Sequence, residues 1–152
     1  MKEKHSALFW FALTAYVLIL LLLLFNRSPQ MGRPYNLRPL KTIRDYCIVL
    51  GRDDPSGLAL RPYAVFNFAG NLLAFVPLGL FLPILFRRQR SFLLFLLTSA
   101  VGICLIELLQ YATRRGALDI DDLILNLPGA VLGWLLWLAG KREARREKRP
   151  DP

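Results

Sequence analysis

The chain has 152 residues, of which 55% are hydrophobic, and a formal net charge of +9. Its apolar residues form unbroken blocks instead of the amphipathic repeat of a soluble helix, so the composition excludes a soluble globular protein and favours a lipid-facing one. The length accommodates one membrane domain, residues 1–152, and no second soluble domain. The two cysteines, Cys47 and Cys104, have neither a partner spacing nor a histidine pattern that predicts a disulfide or a metal site.

Four apolar stretches approach the roughly 20 residues that cross about 30 Å of hydrocarbon. They occupy residues 7–25, 66–86, 92–113 and 121–140, and a basic tail follows at 141–152. The first stretch is too long for the apolar core of a signal peptide and lacks a cleavage site, so we expect a retained helix. The predicted fold is an all-α integral membrane protein, a four-transmembrane-helix bundle.

The long first loop, residues 26–65, contains one segment with helical periodicity. Apolar residues recur at Leu40, Ile43, Cys47 and Leu50, with basic residues between them. This pattern predicts a short interfacial helix on the membrane surface. A plain solvated connector is the alternative interpretation.

Prolines and glycines predict local features of the bundle. Pro77 and Gly79 favour a kink in the middle of the second span. Gly129 and Gly133 form a small-residue face for packing inside the bundle. Gly116 is expected to close the third helix.

Polar side chains from three predicted helices lie at one depth, next to the 113–122 loop. An ionisable residue at membrane depth is costly, so it is a functional-site candidate by default. The catalytic candidates are Glu107, Asp119 and Asp122. The candidates for substrate binding are Arg38, Asn67, Asn71, Gln110, Arg114, Arg115 and Asn126.

Each of these residues also has a structural interpretation. Asp119 or Asp121 suits the N-cap of the fourth helix, and Asn126 suits a hydrogen bond between helices. The arginines at 114 and 115 suit contact with lipid headgroups, and Glu107 suits a buried clamp with an arginine. Glu107, Asp119 and Asp122 also offer oxygen ligands for a divalent metal, but no motif assigns one, and the cofactors stay undetermined.

Basic residues are denser on the side of the two termini, in the segments RRQR and KREARREKR. The positive-inside rule therefore predicts cytoplasmic N- and C-termini. Four crossings then place the 113–122 loop on the extracytoplasmic side.

Three segments of this sequence, together with its four-span layout, resemble the VanZ-like family of small bacterial membrane proteins. The segments are NLRPLKTI at 36–43, NLLAFVPLGLFLP at 71–83 and IELLQYATRRGALDIDDLILNLPGAVLG at 106–133. The signature positions implied by the resemblance are Asn71, Pro77, Gly79, Glu107, Gln110, Arg114 or Arg115, Asp119, Asp122, Asn126 and Gly129. The resemblance implies the bacterial cytoplasmic membrane as location and, through the family's named member, an association with resistance to the glycopeptide teicoplanin.

Three functions follow as hypotheses. The first is an enzyme or lipid-modifying factor that acts on an envelope lipid or cell-wall precursor, with Glu107 as acid or base. The second is a non-catalytic protein that binds a lipid headgroup or the glycopeptide at the same surface. A transporter subunit is less favoured, because residues 18–24 and 78–86 offer no polar path. The expected partners are membrane lipids, a lipid-linked cell-wall precursor or a glycopeptide, and no nucleic acid.

Overall fold

Four helical segments of the computed structural model are long and apolar enough to cross a membrane, which confirms the predicted four-span, all-α fold. The structure describes residues 6–25 and 35–147. Within these ranges the spans are Ala7–Phe25, Pro55–Leu85, Phe92–Ala112 and Ile120–Ala144. The chain is therefore a multi-pass membrane protein.

The first span, α1 (Ala7–Phe25), lies at the periphery of the bundle, and Leu24 is its single buried residue. The Tyr16 hydroxyl donates a hydrogen bond of 3.0 Å to the Ala74 carbonyl. The rings of Phe9 and Phe81 meet edge to face, with centroids 5.5 Å apart. These contacts hold α1 against the second span.

The second span begins eleven residues earlier than predicted and consists of α3 (Pro55–Ala74) and α4 (Val76–Leu85). Residues 55–65, which we expected in the first loop, are helical because Asp54 caps α3: its carboxylate accepts the Gly57 N–H at 2.7 Å. Hydrogen bonds from Ser56 and Gly57, with Arg52 nearby, hold the pKa of Asp54 below its usual range. The break between the two helices falls at Phe75, beside Pro77, where a kink was predicted.

The helix predicted in the first loop is present as α2 (Lys41–Gly51), packed against α3. Ahead of it, the two-residue strand β1 (Tyr35–Asn36) pairs in parallel with β2 (Leu118–Asp119). Leu40, between β1 and α2, has a left-handed backbone with φ of 64°. This strand pair was not expected from the sequence, and it ties the first loop to the start of the last span.

The last two spans are α5 (Phe92–Ala112) and α6 (Ile120–Arg146), joined to the second span by a short 3₁₀ turn, Arg87–Arg90. A Cβ added to Gly129 would overlap the Leu72 carbonyl oxygen, and one added to Gly133 would overlap that of Val76. The glycine face therefore packs against the second span, inside the bundle as predicted. Residues 141–146, expected in a basic tail, continue α6.

Candidate functional site

The predicted polar residues of α3, α5 and α6 meet at one end of the bundle, which we call the polar end: the end where α1 and α5 finish and α6 begins. The Gln110 side chain on α5 donates a hydrogen bond of 2.8 Å to the Leu24 carbonyl at the end of α1. The Asn71 amide on α3 donates one of 2.5 Å to Asp122 on α6. The first bond joins α5 to α1, and the second joins α3 to α6.

Asp121 is the most deeply buried acid of the polar end, with 0% of its surface exposed. Its carboxylate accepts backbone N–H groups from Leu40 at 2.5 Å, Thr42 at 2.6 Å and Ile43 at 3.3 Å. A carboxylate at the start of a helix satisfies unpaired N–H groups and the positive end of the helix dipole. Asp121 therefore caps α2 from another helix and fixes the first loop to α6.

Asp119 also connects the first loop to α6. It caps α6 by accepting the Asp121 N–H at 2.9 Å, as one of its structural interpretations predicted. It also accepts the Asn36 amide at 3.0 Å and the Thr42 hydroxyl at 2.6 Å. Three donors engage this carboxylate, so Asp119 is occupied with holding the loop, and its predicted catalytic role stays a prediction.

Asp122 and the two asparagines of α3 are only partly buried. Asn71 contacts Asp122, as the shared depth predicted, whereas Asn67 donates to the Tyr63 carbonyl of its own helix at 2.8 Å. Each asparagine retains a side-chain carbonyl oxygen that no described residue engages. Both residues therefore keep hydrogen-bonding capacity that is open to a ligand.

Glu107, Gln110 and Asn126 lie inside the bundle, with 4%, 3% and 2% of their surfaces exposed. The bond from Gln110 to Leu24 is the interhelical contact that a polar residue in a span commonly makes. The Asn126 side-chain oxygen is buried and has no hydrogen-bond partner among the described residues. The structure thus places these three candidates behind the surface of the polar end.

The arginine candidates lie at that surface. Arg38 and Arg114 are exposed and make no ion pair within the described part of the chain, while Arg115 is half-buried. Arg114 has a left-handed backbone with φ of 59°. The Arg115 N–H bonds to the Gln110 carbonyl at 2.9 Å and the Arg114 N–H to that of Tyr111 at 3.2 Å, which is a Schellman motif.

The prediction that Gly116 closes the third helix is therefore wrong. Arg114 occupies the left-handed position at which glycine is usual. The backbone of Gly116 is not left-handed, and a Cβ there would lie 3.2 Å from the Gln110 Cβ. Gly116 thus provides space for Gln110, two residues after the turn itself.

Charges at the polar end are segregated. Residues 35–66 and 107–122 contain equal numbers of acidic and basic side chains. Three of the acids pair with surface cations in the bridges Lys41–Asp45, Arg52–Asp54 and Arg61–Asp53. The remaining acids are buried or half-buried, whereas Arg38, Arg44 and Arg114 are exposed. Among the described residues of this surface, the exposed charges that remain unpaired are therefore cationic.

No group of three His, Cys, Asp or Glu side chains suited to a metal ion occurs within residues 6–25 and 35–147. The metal hypothesis for Glu107, Asp119 and Asp122 stays a prediction. The sequence did not reveal the roles of Asp121, Asn36 and Thr42, because their contacts join residues far apart in the chain.

Comparison with known proteins gives one family. The model of the VanZ/LLP1 family matches residues 10–141, which is most of the chain. No curated protein and no solved structure matches.

Proposed function

Since the chain belongs to the VanZ/LLP1 family, we propose that it is a cell-envelope protein of the bacterial cytoplasmic membrane whose polar end binds the phosphate group of a lipid-linked cell-wall precursor. The polar end faces the extracytoplasmic side in this proposal, with both termini in the cytoplasm. Binding there provides a route to glycopeptide resistance, because the precursor is the class of molecule on which such an antibiotic acts.

The observation that supports this proposal most is the pair of exposed arginines at the polar end. Arg38 precedes α2 and Arg114 ends α5, and neither guanidinium is neutralised by a described carboxylate. A guanidinium matches phosphate geometry and forms two parallel hydrogen bonds with it. The side-chain oxygens and N–H groups of Asn67 and Asn71 lie at the same end and suit the hydroxyl and ester groups of a headgroup.

Binding without catalysis is favoured over an enzymatic reaction by the way the carboxylates are used. Asp119 and Asp121 hold the first loop through hydrogen bonds. Glu107, the strongest acid–base candidate, has 4% of its surface exposed, whereas a general acid or base must reach the proton that it transfers. In the proposed binder, Glu107 supports the arrangement from inside the bundle.

The test compares two ligands that share one chain, a polyprenyl phosphate and the corresponding polyprenol, presented to the protein in nanodiscs. Native mass spectrometry measures how much of each is retained. We expect stronger retention of the phosphate form, and loss of that preference when Arg38 and Arg114 are both changed to glutamine. Arg142→Gln is the matched control, because Arg142 is an exposed arginine near the other end of α6. Equal retention of the two lipids by the wild type would refute the proposal.

Glu107→Gln separates binding from catalysis. In a host that expresses the protein, drug susceptibility and precursor levels are compared for the wild type, Glu107→Gln and Asp122→Asn. A binder tolerates Glu107→Gln, because the amide retains size and hydrogen-bonding capacity. Loss of every phenotype with Glu107→Gln, at normal protein level and normal lipid retention, favours the enzymatic alternative.

The orientation is tested with a reporter enzyme inserted in the 113–122 loop. We expect activity from a reporter enzyme that functions only after export from the cytoplasm. A reporter active only in the cytoplasm would move the polar end to the inner leaflet and remove the glycopeptide-facing interpretation.

A further inference from the structure

An apolar groove runs from the polar end into the membrane-spanning part of the bundle. It lies between α1 and the α3–α4 pair and has a volume of about 610 Å³. Its walls extend from Leu24 to Ala12 along α1, and Asn67 and Asn71 line it near the polar end. The volume lies within the range of small-molecule sites, about 300–1,000 Å³.

The groove has the length of one leaflet. Leu24 is twelve positions after Ala12 on α1, which corresponds to a rise of about 18 Å at 1.5 Å per residue. Half of the hydrocarbon core of a bilayer is about 15 Å. One lipid hydrocarbon chain that enters at the polar end therefore fits along the length of the groove.

The groove is also broad. A volume of about 610 Å³ over about 18 Å gives a mean cross-section of about 34 Å², equivalent to a width of about 6–7 Å. An unbranched chain is narrower than this width, so it leaves wall atoms of the groove without a contact partner. A chain with methyl branches fills it better.

The polar end of the groove has the groups that a phosphate on such a chain requires. The side-chain amides of Asn67 and Asn71 each use one of their two N–H groups on a described acceptor, and the second N–H can donate to a phosphate oxygen. Leu24, at the same end of the groove, accepts the Gln110 side chain, and the Gln110 carbonyl accepts the Arg115 N–H. Gln110 therefore links the groove at Leu24 to the turn that carries Arg114 and Arg115.

We propose that this groove holds the methyl-branched chain of one polyprenyl phosphate, with its phosphate group at Asn67 and Asn71 and bound by the exposed arginines of the polar end, Arg38 and Arg114. A single groove suits a lipid with one chain, whereas a glycerophospholipid would leave its second chain outside. This inference rests on the proposed function, which concerns the phosphate group, and it specifies in addition that the helix bundle recognises the prenyl chain of the ligand.

Gly70 allows a direct test. It lines the groove, and a Cβ added to it meets nothing within 4 Å, so Gly70→Leu fills the groove without a backbone clash. Gly102→Leu is the matched control, because Gly102 lies in another membrane-spanning helix, away from the groove lining, and its added Cβ also meets nothing within 4 Å. Ala15→Leu fills the groove from α1 and serves as a second variant if Gly70→Leu lowers the yield of folded protein.

Retention from nanodiscs is measured for polyprenyl phosphate, polyprenol and phosphatidylglycerol. Gly70→Leu and Ala15→Leu should reduce the retention of both prenyl lipids about tenfold, the change that 1.4 kcal/mol produces, whereas Gly102→Leu should not. The double change of Arg38 and Arg114 should affect only the phosphate form. The groove variants and the arginine variant therefore reduce lipid retention in distinguishable ways: the groove variants through the prenyl chain, and the arginine variant through the phosphate group.

Two results would overturn the groove inference. Unchanged retention in both groove variants, together with a loss in the arginine variant, would leave the proposed function standing without the groove. Retention of phosphatidylglycerol equal to that of polyprenyl phosphate, and equally reduced by Gly70→Leu, would identify an acyl chain as the occupant. A loss of both prenyl lipids in Gly70→Leu with no effect of the arginine changes would support the groove and refute the phosphate site.

Discussion

Replacing Asp121 with alanine should release the start of α2 from α6. The carboxylate is fully buried and accepts three backbone N–H groups, two of them at 2.5 and 2.6 Å. A hydrogen bond to a charged group contributes about 1.5–3 kcal/mol, and contributions within one cluster do not add fully. We therefore expect a loss of about 3 kcal/mol, which raises the population of the opened segment more than about 100-fold.

Hydrogen exchange measured by mass spectrometry checks this prediction in the peptide that covers residues 40–46. Asp45→Ala is the control, because it removes the same charge from an exposed i,i+4 pair on α2, and such pairs contribute at most about 1 kcal/mol. Asp121→Asn should be intermediate, since its one side-chain oxygen still accepts. If residues 40–46 exchange at the wild-type rate in Asp121→Ala, Asp121 does not hold α2.

Three further changes have defined outcomes. Gly129→Leu should abolish folding or lower the melting temperature strongly, because a Cβ there overlaps the Leu72 carbonyl. Arg114→Gly should leave the thermal stability unchanged or higher, since glycine tolerates the left-handed backbone, while retention of polyprenyl phosphate falls; a matching loss of stability would refute this separation. Asp54 is stabilised as the carboxylate by its partners, so its pKa in the folded protein is depressed. The stabilisation of the start of α3 by the Asp54 carboxylate is present above the unfolded pKa of about 3.9 and is lost as the pH falls further. Hydrogen exchange at residues 55–58 should therefore rise in acid in the wild type, and Asp54→Asn should remove this rise.

The spans were predictable because length and apolarity alone decide whether a helix can cross a bilayer. The predicted start of α1 agrees with the structure, and the predicted end of the third span differs by one residue. The predicted start of the second span was wrong for a physical reason. Residues 55–65 include Arg61 and two prolines, so apolarity does not extend over them, yet the Asp54 cap and packing against α2 make them helical.

At the polar end, helical spacing predicted which residues share a depth but not which of them bond. Asn71 and Asp122 were expected at one level, and they form a hydrogen bond. The role of Asp121 was not predicted, because its partners are backbone N–H groups about 80 positions earlier in the chain. Backbone donors have no side-chain signature, so a sequence pattern cannot identify them.

Asp121 and Asp122 show how the first turn of α6 serves two neighbours. Consecutive residues on a helix point in different directions, and here Asp121 contacts the start of α2 whereas Asp122 contacts Asn71 on α3. If the two contacts are independent, the stability losses of Asp121→Ala and Asn71→Ala should add to within about 0.5 kcal/mol in the double variant. A larger deviation would mean that the first turn of α6 couples them, so that a ligand at Asn71 would also change how firmly the first loop is held. Denaturant titration of the four proteins in the same micelle distinguishes the two cases.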